Sequence, residues 1–154
     1  FFIAEMIMER MHTRNLDALG GIRLVAPGFS TFFLIILLAT VALPLTNGFI
    51  GEFLLINGIF QYSTWMAAVS GLTIILGAVY MLRSYQKIAL GVSNKHTEKF
   101  QDLTTNEKLV LIPLVIMIFW IGVYPSYFMN IAEPSIKTLR EIIHMSHGIS
   151  LLTN

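Results

Sequence analysis

The chain has 154 residues, of which 55% are hydrophobic and 12% charged, with a net charge of +1 and no cysteine. A soluble domain of this size carries about 25% charged residues, so this is the composition of a membrane protein. The small net charge gives no basis for binding nucleic acid, and the absence of thiols excludes cysteine catalysis, disulfides and cysteine metal sites.

The sequence opens inside an apolar run, FFIAEMIM. Residues 1–11 are therefore expected to be the last turns of a transmembrane helix, and the chain a piece of a longer protein. Residues 12–27 read as a polar loop with Arg14, Asp17, Gly20, Gly21 and Arg23, and Pro27 suits the first turn of the next helix.

A long apolar segment covers residues 28–60. From Phe29 to Phe60 a continuous helix would measure roughly 48 Å at ~1.5 Å per residue, against a hydrocarbon core of ~30 Å. Pro44 removes a backbone donor and clashes with the preceding turn, and Asn47-Gly48 is turn chemistry. The segment is thus predicted to be a discontinuous helix, broken between Leu43 and Gly48. Glu52, shortly after the break, is the only charged side chain from Phe29 to Phe60. It lies roughly 13 Å below the outer end of its helix at ~1.5 Å per residue, near mid-membrane. Desolvation there disfavours the ionised carboxylate, so Glu52 is the leading candidate for a proton relay, with a packing role as the plainer alternative.

A third hydrophobic segment, 65–82, carries Ser70, Thr73, Gly77, Tyr80 and Ser84 at helical spacing on one face. Small and weakly polar residues so placed mark close helix packing; Ser70, Thr73 and Tyr80 also suit the lining of a proton path beside Glu52. A charged loop is expected over 83–108, a further membrane helix over 109–129, and an amphipathic tail at the interface over 130–154.

Eight of the ten lysines and arginines fall in or beside the 12–27 and 83–108 loops, which puts both on the cytoplasmic or matrix side and the tail outside. His12, His96 and the His144-x-x-His147 pair form no supported metal site. No nucleophile-and-base pair and no nucleotide loop is visible.

Met8-Glu9-Arg10-Met11-His12-Thr13-Arg14, followed by Gly20-Gly21, resembles the ERxHTRxxxxxGG segment of the subunit M family (chain 4 in mitochondria) of NADH:quinone oxidoreductase, respiratory complex I. Ala42-Leu43-Pro44-Leu45-Thr46-Asn47-Gly48-Phe49-Ile50-Gly51-Glu52-Phe53 is similar to that family's LPGTxGFVGEF segment, with Leu45 where the family often has glycine. Ala78-Val79-Tyr80-Met81-Leu82 and Gly122-Val123-Tyr124-Pro125 match in place and order. Met8 departs from the tyrosine of many relatives.

The resemblance implies an all-α integral membrane protein, a fragment of an antiporter-like helix bundle with one discontinuous transmembrane helix. It implies a proton-translocating subunit coupled to quinone reduction, with Glu52 closing the channel toward the outer side. It further implies that NADH, FMN, iron–sulfur clusters and quinone are bound by other subunits and that this chain holds no cofactor. The implied partners are the other membrane subunits, above all two neighbouring antiporter-like subunits, and the bilayer. The setting is a bacterial or mitochondrial inner membrane. A multisubunit Na⁺/H⁺ antiporter or a membrane-bound hydrogenase is the alternative; sister subunits and the antiporters usually carry lysine where Glu52 stands. A non-transporting scaffold is a third reading, for which a mid-membrane carboxylate is a poor choice.

Overall fold

The computed structural model describes residues 1–13, 15–94 and 97–152, without the side chains of Asp17 and of 144–152. Arg14, Lys95 and His96, and the side chains of His144 and His147, thus lie outside the described residues. Regular structure among the described residues is all helical. Helix α1 (Phe2–Met11) ends where His12 adopts a left-handed backbone, φ 51°. A 3₁₀ turn (Leu16–Ala18) and the one-turn α2 (Ile22–Val25) lead to α3 (Pro27–Thr40). The chain then leaves the helix over 41–46 and resumes it as α4 (Asn47–Tyr62). Helices α5 (Thr64–Ala89), α6 (Thr105–Val123) and α7 (Pro125–Leu152) follow, with a second 3₁₀ turn at Thr97–Lys99.

The interruption begins earlier than Leu43. Val41 and Ala42 have already left the helix, whereas Asn47 and Gly48 form the first turn of α4. A proline acts on the residues before it: Pro44 has no N–H for the carbonyl of Thr40, and its ring crowds that turn. Two left-handed residues, Ala42 at φ 57° and Leu45 at φ 79°, then redirect the chain.

Three further boundaries differ from those predicted. The helix expected at 65–82 continues to Ala89, because Tyr85 and Ala89 are buried against α3 and Ile88 in the core at the loop end, although the charges begin at Arg83. Helix α6 begins at Thr105 rather than 109. There the Thr104 hydroxyl accepts from the Glu107 N–H (3.4 Å) and the Glu107 carboxylate accepts from the Thr104 N–H (2.7 Å), a capping box. The same helix stops at Val123, so the segment 109–129 is divided. Pro125 disfavours helical backbone at Tyr124 and opens α7, which therefore starts before the expected tail at 130.

The core lies at one end, where the loops 12–26 and 90–104 meet. The Gly21 N–H donates to the Leu90 carbonyl (3.0 Å) and the Asn94 amide to the Ala18 carbonyl (3.0 Å). Beneath them Ile7, Ile22, Phe29, Ile88, Phe100 and Leu111 pack as one cluster. Arg10 is clamped into the same end. Its Nη2 donates to both carboxylate oxygens of Glu107 at 2.7 Å, and its guanidinium lies 5.1 Å from the ring centre of Phe100. Asp102 caps α3, accepting from the backbone N–H of Gly28 (3.0 Å) and Phe29 (2.7 Å).

Away from that end burial is sparse. Thr64–Ala89 and Thr105–Val123 are long and apolar enough to cross a membrane, yet only 6% and 11% of their most apolar stretches are buried within the chain. A helix apolar on every side and unburied by its own chain belongs against lipid or other helices. The 19 residues of α6 span about 28 Å at ~1.5 Å per residue, close to the ~30 Å hydrocarbon core.

Two outcomes test this arrangement. Burial works against the charged form of Asp102, but N–H donors from Leu103, Phe29 and Gly28, with Lys108 nearby, outweigh it and hold the carboxyl below its ordinary value. A lowered folded pKa means that the stabilisation is complete above the unfolded value near 4 and disappears as pH falls through the folded one. Asp102→Ala is expected to cost about 1 kcal/mol at pH 7, as loss of a helix cap does, and almost nothing in strong acid; thermal unfolding in detergent at both pH values measures this. Second, cysteines at Tyr62 and Val92, 85% and 89% exposed, should label from opposite faces of the membrane. Labelling from one face would refute the fold's orientation in the bilayer.

Candidate functional site: a carboxylate beside a broken helix

The break fixes where Glu52 stands. Thr46, 1% exposed, closes it: both its N–H (3.0 Å) and its hydroxyl (2.6 Å) donate to the carbonyl of Leu43. Gly48 then brings the first turn of α4 against the last turn of α3, where a Cβ would lie 2.7 Å from the Ala39 carbonyl oxygen. From this start the periodicity of α4 turns Glu52, Ile56 and Ile59 towards α5, half-buried, while Phe53, Leu54 and Phe60 stay exposed.

Between α4, α5 and the end of α3 lies an open cleft of about 360 Å³. Glu52, Ser70, Thr73 and Tyr80 all line it, together with Thr40 and Val41 from the edge of the break. The structure therefore brings the four polar positions singled out in the sequence into one space. Pro44, Asn47 and Gly48 are not in its wall. They shape the backbone that leads to it.

The hydroxyls are not equivalent. Thr73 donates to the Ser70 carbonyl (2.6 Å), leaving its oxygen as an acceptor. Ser70 is half-buried, whereas Tyr80 is 68% exposed at the rim. Ser84 donates to the Tyr80 carbonyl (3.1 Å) and does not line the cleft. The apolar packing stripe of α5 runs beside these hydroxyls, through Ala67, Ile74, Ala78, Met81 and Tyr85. Glu52 Oε2 is buried with no hydrogen-bond donor among the described residues. That oxygen faces a cleft large enough to hold water.

Two polar contacts that join one helix to another carry little sign in the sequence. One is the buried pair Ser30 Oγ and Tyr85 Oη at 2.9 Å, between α3 and α5; its partners are 55 residues apart. The other is the Arg10–Glu107 clamp, whose only local sign was the Thr104-x-x-Glu107 capping pattern. Among the described residues no cluster of three His, Asp or Glu is placed to hold a metal.

Two helices of membrane length, packed beside a helix broken next to a single carboxylate, define a membrane-spanning helix bundle. The sequence profile of the NADH:quinone oxidoreductase/Mrp antiporter transmembrane family matches residues 1–77, and the chain belongs to that family. It is 39% identical over 140 residues to NADH-quinone oxidoreductase subunit M of Rickettsia typhi, covering 90% of this chain and 28% of the relative. The subunit M of Rhodobacter capsulatus is 39% identical over 149 residues, covering 96% and 29% respectively. NADH-ubiquinone oxidoreductase chain 4 of Marchantia polymorpha is 36% identical over 140 residues, covering 90% and 28%. Among solved structures, respiratory complex I from Thermus thermophilus with bound NADH has a chain that superposes with a TM-score of 0.75 at 33% identity, over 82% of this chain and 26% of that one. The chain thus spans little more than a quarter of the length of these relatives.

The order of the break is itself testable. Thr46→Val keeps the shape but removes the hydroxyl that donates to Leu43. Local opening of the break is expected to become easier by about 1 kcal/mol. Hydrogen exchange of peptides covering 41–50 should then run several-fold faster, while peptides of α5 exchange unchanged.

Proposed function

We propose that this chain is part of a proton-translocating, antiporter-like membrane subunit of NADH:quinone oxidoreductase, of the subunit M type. The observation that carries this reading is Glu52 at the break, its Oε2 without a donor, in one cleft with Ser70, Thr73 and Tyr80. A carboxyl group held among hydroxyls and water can accept a proton from one side and release it to the other as the surrounding charge changes. In this scheme Glu52 carries the proton and Ser70, Thr73 and Tyr80 order the water that reaches it. Pro44, Asn47 and Gly48 hold the break open beside it.

The proton-motive work is driven from outside the chain, by quinone reduction in other subunits that bind NADH, FMN, iron–sulfur clusters and quinone. The exposed apolar faces of α5 and α6 suit contact with neighbouring antiporter-like subunits and with lipid. Helix α7 suits a position along the outer interface. From Met129 to Ile143 every side chain is exposed, with Ile136, Leu139, Ile142 and Ile143 apart from Lys137, Arg140 and Glu141. The loops 12–26 and 90–104 would then face the cytoplasm or matrix, as their basic residues require. Glutamate rather than lysine at position 52 favours this reading over a Na⁺/H⁺ antiporter subunit.

Glu52→Gln in the full-length subunit tests it. The amide keeps the volume and removes the titratable charge, so assembly should survive while proton translocation per NADH falls at least about tenfold if the relay is obligatory. Glu52→Asp should retain part of the activity. Wild-type translocation by the Gln variant, measured in vesicles and normalised to assembled enzyme, would remove Glu52 from the mechanism.

A further inference from the structure

The break is pressed against a neighbour that has no side chain. Gly122, buried in the last turn of α6, meets the Leu45–Thr46 peptide face on. A Cβ at position 122 would fall onto the carbonyl oxygen of Leu45, and would stand 2.5 Å from the Leu45 carbonyl carbon and 2.6 Å from that of Thr46. All three atoms are backbone, so no side chain can turn aside to make room. Gly58, Gly71 and Gly77, on the same bundle, have nothing within 4 Å of such a Cβ. Glycine is thus required at this contact, as it is where Gly48 meets Ala39, and not throughout the bundle.

The peptide being held is the one that decides the course of α4. Leu45 is in the left-handed region at φ 79°, which a leucine occupies only within a narrow range. Thr46 is the residue before α4 and is almost fully buried. Any displacement of the 45–46 peptide is transmitted to the first turn of α4 and so to Glu52, less than two turns further on. Gly122 also immediately precedes the Val123–Tyr124–Pro125 bend, so the end of α6 and the start of α7 are tied to the break through one contact.

We propose that Gly122 is a positioning residue for Glu52: by admitting the Leu45–Thr46 backbone against α6 it sets the geometry of the break and the placement of the carboxylate in its cleft. The inference rests on the reading of Glu52 as the relay. It adds a requirement from the far end of the chain that neither charge nor polarity reveals.

The experiment uses the full-length subunit in the assembled complex and compares Gly122→Ala with the double variant Gly122→Ala/Leu45→Gly. Glycine at 45 frees the backbone that leucine holds, so the 45–46 peptide can swing away from the new methyl group. Protons translocated per NADH, on assembled enzyme, should fall at least about twofold in Gly122→Ala, by forced repacking, and recover substantially in the double variant. A contact that served folding alone would lower the amount assembled and leave that ratio at the wild-type value. A wild-type ratio for Gly122→Ala, or a double variant no better than the single, would overturn the proposal. Should Gly122→Ala fail to assemble, the same comparison is read on assembled complex: recovery by Leu45→Gly supports the contact, and equal failure overturns it. Glu52→Gln measured alongside separates the two layers. If it pumps normally the relay reading falls, whereas if it is impaired and Gly122→Ala is not, only the role of Gly122 falls.

Discussion

Everything around Glu52 depends on how the chain satisfies its backbone where the helix stops. In hydrocarbon an unpaired N–H or carbonyl costs several kcal/mol, so a helix can be broken there only under the cover of protein or water. This chain meets the constraint locally. The N–H groups of Val41, Ala42 and Leu43 fold back onto the carbonyls of Leu37, Ala39 and Leu38, and Thr46 returns two donors to Leu43. Pro44 offers no donor to be lost. The carbonyl that Pro44 leaves without its helical partner is that of Thr40, and Thr40 is on the wall of the Glu52 cleft. The same proline thus ends one helix at the edge of the space in which the next helix presents its carboxylate.

The two ends of the bundle are held by different forces. At the loop end, charge and packing act together: the Arg10 guanidinium bridges Glu107 over the rings of Phe29 and Phe100, and Asp102 fixes the first N–H groups of α3. These contacts tie α1, α3 and α6 to one segment of loop. Around the break there is no comparable ion pair among the described residues, and α4 has no fully buried residue. Order there comes from close backbone approach, at Gly48 against Ala39 and at Gly122 against Leu45. The loop end is a clamp and the break a fitted joint.

That difference governs what could be read from the sequence. The discontinuous helix was legible because length, proline and bilayer thickness together leave few alternatives. The company kept by Glu52 was legible because Ser70, Thr73 and Tyr80 share a face at helical spacing. The clamp was not, since Arg10 and Glu107 are 97 residues apart and each alone looks like an interfacial charge. Helix α5 runs past its predicted end at residue 82, since the long side chains of Arg83 and Lys87 let a helix continue beyond the apolar zone. Leu45 carried no sign of φ 79° in its own chemistry. Only the resemblance, which puts glycine there in many relatives, hinted that the backbone at that point is unusual.

The cleft is built from unlike walls, and this bears on how a proton could be passed. One wall, α5, is a single helix of 26 residues whose hydroxyls are fixed in register by its own backbone. The other is α4, which joins α3 through a six-residue interruption containing two left-handed residues. Moving Ser70, Thr73 or Tyr80 relative to one another would require unwinding α5. Moving Glu52 relative to all three would require shifting the joint that Gly48 and Gly122 hold by backbone contact with Ala39 and Leu45. In the proposed scheme the placement of Glu52 is set by that joint, and the order of the hydroxyls that face it is set by α5.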